Sequence, residues 1–262
     1  MSGMARLALV CLGLASMELA GAGCAGHTSP AAAVPAGRSD TAGHVQAALP
    51  KLVSTEELAR WQTERPVVLI DVRTDVFAYL KGHLPGAEYL NSETLRASEG
   101  GIPTRLLSAG AYRELFSRLG LGPDRPVVIY SAGESRDIDA TFLAWLLAGF
   151  GHPRVYLLDG GYFKWQLEQR PIVQRYPRIP VSRFPDRPFQ PEAASLEDVQ
   201  RARRDGAVLV DARPPDQYAG DAGAQMRHGH IPSAISHYWQ DDLTQEGFGH
   251  VWKPADELRR AY

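Results

Sequence analysis

The sequence predicts an α/β fold, with a parallel sheet flanked by helices in one complete unit, followed by a partial second copy of it. Three observations predict this. Short runs rich in Val and Ile are apolar without alternation, as strands covered on both faces require. Helix-opening signals stand between those runs. The stretch Pro66-Val-Val-Leu-Ile-Asp-Val-Arg73, followed by Gly82-His-Leu-Pro-Gly-Ala87, returns as Ala207-Val-Leu-Val-Asp-Ala-Arg213 followed by Gly229-His-Ile-Pro-Ser-Ala234.

Residues 1–24 read as an export signal rather than as fold. Arg6 supplies the positive start, Leu7 to Met17 is a short apolar run, and Ala20-Gly-Ala-Gly-Cys24 places small residues before a cysteine. This resembles a bacterial lipoprotein signal, which implies lipid attachment at Cys24 and a periplasmic or outer-membrane location. Glu18 interrupts the run and Gly21 stands where such signals carry Leu, so a plain secretory signal cleaved after Ala22 is the alternative. The run is too short to span a bilayer as a retained helix. Residues 25–49 hold almost no large apolar side chain and predict a flexible tether.

Residues 50–175 form the first complete unit. Ser54-Thr-Glu-Glu57 predicts a capped helix to about Gln62, and Val67–Ile70, Val127–Tyr130 and Val155–Leu158 predict buried strands. The strand ending at Tyr130 delivers the chain into Ser131-Ala-Gly-Glu-Ser-Arg136, ahead of a strongly apolar helix from near Asp139. Ligand sites in such sheets lie beyond the strand carboxyl ends, where loop amides entering a helix converge on an anion, so a cradle is expected at Ser131. A connection, 176–193, follows. Tyr176, Phe184 and Phe189 lead us to expect it laid along a domain surface. Residues 194–262 are the partial copy, opened by Ser195-Leu-Glu-Asp198 and carrying the strand Val208–Val210.

Together, Asp71-Val-Arg73, Gly82-His-Leu-Pro-Gly-Ala87, the strand, loop and helix at Tyr130, and Val155-Tyr-Leu-Leu-Asp-Gly-Gly-Tyr162 before Trp165 resemble the tandem-domain rhodanese family. The resemblance implies a thiosulfate or 3-mercaptopyruvate sulfurtransferase, moving sulfane sulfur to a thiol or cyanide acceptor through a cysteine persulfide, without a cofactor. In catalytic domains of the family a cysteine follows the fourth strand. Here that position is Ser131, so the first unit is expected to be non-catalytic: a serine hydroxyl without a base stays protonated and forms no transferable S–S bond. The resemblance also implies that Arg213 faces the second unit's catalytic loop and holds the anionic donor.

Other candidates have plainer roles. His83 and His230 belong to a Gly-His-x-Pro turn, and Asp71 and Asp211 are expected to brace turns through hydrogen bonds. His228, His230 and His237 have no metal-site spacing and no accompanying cysteine. Gly133-Glu-Ser135 is not a nucleophile elbow, because Asp137 stands where the second glycine belongs. A net charge of −2 with scattered Lys and Arg gives no footprint for nucleic acid, and the membrane is reached only through the lipid anchor.

By offset, Tyr262 stands roughly where Leu119 does in the first copy. Two expectations follow: the front part of a longer tandem enzyme whose cysteine loop lies outside these residues, or a catalytically inactive, envelope-tethered binding module. On either, Val208 to Val210 are expected to lack the neighbours that bury them, leaving this segment loosely ordered.

Overall fold

The structure, a computed structural model, describes residues 49–123, 125–133, 138–190, 193–223 and 226–262, with residues 102, 103 and 138 described by their backbone. The expected signal, Cys24 and the tether up to residue 48 lie outside the described residues.

Apolarity on both faces of Val127–Tyr130 has its counterpart in where that strand lies. The elements of the first unit are β1 (Lys51–Val53), α1 (Thr55–Glu64), β2 (Val68–Asp71), α2 (Val76–Lys81), β3 (Ala87–Tyr89), β4 (Arg96–Glu99), β5 (Ile102–Leu106), α3 (Ala109–Arg118), β6 (Val127–Tyr130), α4 (Ile138–Gly149), β7 (Val155–Leu158) and α5 (Gly161–Leu167). Five strands pair in parallel in the order β1-β7-β6-β2-β3, with β6 at the centre. Alternate β6 residues then face opposite layers. Val127 and Ile129 pack under α3 and α4 with Tyr112, Phe116, Leu143 and Phe150, while Val128 and Tyr130 pack under α1 and α5 with Leu58 and Trp165. β6 and β7 have the expected bounds. β2 runs one residue later than its apolar run, because Asp71 still pairs with Tyr130.

The connection is more deeply engaged than expected. Phe184 is 5 % exposed within the α3/α4 core, Phe189 stacks on Phe150 at 4.5 Å, and the Gln190 N–H donates to Gly149 O at 2.8 Å. This ties the connection to α3, to Phe150 and to the last residue of α4. Tyr176, by contrast, remains 63 % exposed.

The second copy contains α6 (Leu196–Arg204), β8 (Val210–Asp211), α7 (Pro215–Ala219), β9 (Ile235–Ser236), β10 (Leu243–Glu246), β11 (Gly249–Trp252) and α8 (Ala255–Ala261). Here Ser195 and Asp198 form a full reciprocal capping box, whereas Ser54 only accepts from the Glu57 N–H. β8 pairs in parallel with β9, just as β2 pairs with β3. The expectation for Val208 to Val210 needs correction. Val208 is 50 % exposed, but Leu209 and Val210 are buried, since pairing with β9 and the turn at Ala234 covers them. Among the described residues both core clusters are nevertheless built from the first unit and Phe184.

Candidate functional site

The carboxyl ends of β6 and β7 are where this sheet can hold chemistry, and the residues there are unusually enclosed. Tyr130 is fully buried, its hydroxyl oxygen accepts the Leu84 N–H at 3.2 Å, and burial pushes its phenol well above the ordinary range. Ser131 follows at 5 % exposure. The carbonyls of Ser131, Ala132 and Gly133 accept the N–H groups of Tyr162 at 2.9 Å, Phe163 at 2.8 Å and His250 at 2.8 Å. The first two satisfy the first turn of α5, whose N-cap Gly160 offers no side chain to do so. Gly133 is held at φ +86°, and a Cβ there would lie 2.1 Å from Gly160 O, so the two loops touch backbone to backbone.

Of the expected cradle, the described residues hold only the first part, 131–133. Over 131–133 the carbonyl oxygens are taken up by the N–H groups of α5 and of the β10–β11 hairpin. Residues 134–137 lie outside the described residues. The space between Tyr130, Ser131, Thr141 and Trp252 is about 10 Å³, room for no more than one water.

Asp159, at the end of β7, forms the other wall. Its carboxylate accepts the Trp252 N–H at 3.0 Å, and burial raises its pKa although that bond and Lys164 oppose the shift. Lys164 Nζ lies 2.5 Å from Glu246 and 3.8 Å from Glu168. Trp252, His250 and Glu246 all belong to the β10–β11 hairpin, so the second copy touches the first beside these strand ends.

Asp71 and Arg73 form a bracket below this site. Arg73 Nε lies 3.0 Å from both Asp71 oxygens, Nη2 donates to Asp71 and to Gly82 O at 2.7 Å each, and the guanidinium stacks 4.0 Å over Tyr162. Burial opposes its charge, yet the Asp71 hydrogen bonds and charge hold its pKa above the usual value. Asp211 and Arg213 repeat the arrangement: Nε donates at 2.9 Å to Asp211 Oδ1, and Nη2 donates to Asp211 Oδ2 at 2.6 Å and to Gly229 O at 2.8 Å. Hydrogen bonds from Arg213 hold the Asp211 carboxyl below its ordinary value. Among the described residues Arg213 bonds through Nε and Nη2, and Nη1 makes no hydrogen bond.

The turn histidines also repeat. His83 stacks on Tyr79 at 3.9 Å with Nδ1 2.9 Å from Tyr79 O, and His230 stacks on Tyr218 at 3.8 Å with Nδ1 2.9 Å from Tyr218 O. Both brace their turns, the role expected of them. His228 faces Gly220 O and His237 faces Asp242, so with His230 the three point to separate partners. The sequence reading missed the hairpin and Asp159. A signal existed: Glu99-Gly-Gly-Ile102 returns as Glu246-Gly-Phe-Gly249, the turn of each copy's hairpin.

Comparison with known proteins agrees with this geometry. Residues 54–168 match the rhodanese-like domain family. A putative thiosulfate sulfurtransferase of Synechococcus elongatus is 30 % identical over 76 % of this chain, which spans 65 % of that protein's length. The sulfur carrier protein TtuD of Thermus thermophilus is 30 % identical, with 80 % of this chain and 76 % of the relative covered. SseA from Escherichia coli, described as a 3-mercaptopyruvate sulfotransferase with the rhodanese fold, superimposes with a TM-score of 0.69 at 28 % identity, covering 80 % of this chain and 82 % of that one.

Proposed function

Because this chain belongs to the rhodanese family, we propose that it is part of an exported tandem sulfurtransferase, and that its first copy is the non-catalytic half. The whole protein takes sulfane sulfur from thiosulfate or 3-mercaptopyruvate and passes it to a thiol or cyanide. Its nucleophile is a cysteine on a second-copy loop that is not among these residues. Cleavage of the donor's S–S or C–S bond leaves a cysteine persulfide with release of sulfite or pyruvate, and attack by the acceptor returns the thiolate. The observation that carries the reading is Ser131, a buried hydroxyl without thiolate chemistry at the end of β6, where catalytic domains of the family carry their cysteine. Arg213 holds the donor anion through Nη1 while Asp211 fixes its orientation. Lipid on Cys24 keeps the protein in the envelope, and a Cys24→Ser variant is expected in the soluble fraction or unprocessed.

The test is thiocyanate production from thiosulfate and cyanide. The chain from Gln46 to Tyr262 is expected to give none above the uncatalysed rate. An extension through an in-frame Val-Val-x-Tyr-Cys-x-x-Gly segment is expected to restore turnover, and Arg213→Ala in that longer protein to raise KM for the donor by about 10-fold or more, the worth of one charge-assisted hydrogen bond. Turnover by the shorter chain would falsify the assignment of the first copy.

A further inference from the structure

Between residues 170 and 187 the connection carries five arginines against one carboxylate, Asp186, in a chain whose net charge is −2. Three joints pin it to the first copy. Val173 exchanges backbone hydrogen bonds with His83 at 2.9 Å each way, the Ser182 N–H donates to Ser117 O at 2.9 Å, and Arg187 Nη1 donates to Gly151 O at 2.6 Å. His83 and Gly151 stand in the turns that lead into β3 and β7, and Ser117 in the last turn of α3 before β6. Because the strands are parallel, all three joints lie at the amino-terminal edge of the sheet, opposite Ser131 and Asp159. The chain also enters β1 at that edge, through Lys51.

The side chains that the connection leaves outward alternate in kind. They are Arg175, Tyr176 at 63 % exposure, Arg178, Val181 at 72 % and Arg183. Arg170 and Arg187 are engaged by Glu168 and Gly151 O, but the guanidinium groups of Arg175, Arg178 and Arg183 make no hydrogen bond or ion pair among the described residues. Lys51, Arg125 and Arg154, exposed at the heads of β1, β6 and β7, add unpaired cations to the same edge. Cations interleaved with an aromatic and a branched apolar side chain fit a surface that is anionic outside and apolar beneath. A soluble anionic polymer would meet the charges but give Val181 no apolar partner.

We propose that this edge of the first copy lies on a bilayer of anionic phospholipid, with the three arginines against the headgroups and Tyr176 and Val181 at the apolar boundary. The joints hold the strap ready, so contact costs little ordering of the chain. A lipid on the tether that precedes β1 would draw this face to the membrane and leave the carboxyl ends of the strands facing away. The contact is additional to that anchor and independent of sulfur transfer by the whole protein.

Residues 46–262 hold every described element and neither cysteine, so they test the edge without the anchor. Co-sedimentation is measured at low salt with vesicles of phosphatidylcholine alone and of phosphatidylcholine and phosphatidylglycerol in equal parts. Binding is expected to be about 100-fold tighter on the anionic vesicles. Replacing Arg175, Arg178 and Arg183 together by glutamine is expected to remove about 100-fold, near 5-fold for each arginine. An environment-sensitive dye on Val181→Cys should shift to the blue on the anionic vesicles. The same dye on Glu93→Cys, exposed beyond the carboxyl end of β3, should not shift. The dye pair needs no charge substitution, so it decides the question even if the triple variant unfolds. Equal binding to both vesicles, undiminished binding by the folded triple variant, or equal shifts at 181 and 93 overturns the proposal. Tighter binding to single-stranded DNA than to the anionic vesicles, with the dye at 181 unshifted, assigns the edge to a soluble polyanion and overturns it too.

Discussion

Asp159 lies where burial and hydrogen bonding pull a carboxyl in opposite directions. Its oxygen takes the Trp252 N–H, which the hairpin needs, but burial disfavours its charge and raises its pKa from the ordinary 3.8. A carboxyl with a raised folded value contributes stability that is fully present below 3.8 and is lost as pH rises through the raised value. Asparagine keeps the acceptor without the charge. Asp159→Asn is therefore expected to melt higher than the natural protein at neutral pH, with the gap closing below 3.8, where both side chains are neutral. Melting curves across that range check it, and a variant that melts lower at pH 7 means attraction to Lys164 outweighs burial. The two Asp–Arg brackets show the opposite balance. There the arginine supplies hydrogen bonds strong enough to hold Asp211 low, and Nη2 extends the bracket to the carbonyl of the Gly-His-x-Pro turn.

Strands β6 and β8 have the same apolar character and very different surroundings. β6 has β2 on one side and β7 on the other, with a layer of helices on each face. β8 spans two residues and has β9 as its pairing partner. Amides opened by local fluctuation exchange in proportion to how little holds them. Hydrogen exchange at 210–211 is expected to be orders of magnitude faster than at 127–130. Equal protection would mean that β9 and the hairpin suffice to stabilise the second copy. The connection argues in the same terms. Phe184 contacts Phe116 at 5.0 Å and Phe150 at 5.7 Å between ring centres, so replacing it with alanine is expected to cost about 3–5 kcal/mol. Urea denaturation of the first unit reads that loss directly.

At the scale of the molecule, the core of the first unit takes in Phe184 and Phe189 from the connection, so the independently folding unit is expected to be larger than the repeat. A fragment of residues 49–190 is expected to unfold cooperatively. One ending at 175 lacks Phe184 and Phe189 and should be less stable by several kcal/mol, roughly the burial free energy of two aromatic side chains. Equal denaturation midpoints for the two fragments would show that the connection merely rests on the surface. The relation between the copies is equally asymmetric. Among the described residues the first copy holds both core clusters, and the second docks against it through its hairpin.

Much of this was legible in order along the chain. Continuous apolarity placed β6 and β7 to the residue, and the repeated Asp-x-Arg and Gly-His-x-Pro segments announced two matching brackets, because each closes hydrogen bonds within about 16 residues of itself. Ser131 at a strand end was equally readable, and with it the absence of a thiol from the first copy. Tertiary structure alone decided which way the loop's carbonyls point, that Phe184 enters a core while Tyr176 stays outside, and that a glycine at 249 meets a glycine at 133. Those outcomes depend on close packing between segments far apart in sequence. A pattern of residue types records that a side chain should be buried or a turn made, but not which distant backbone fills the space against it.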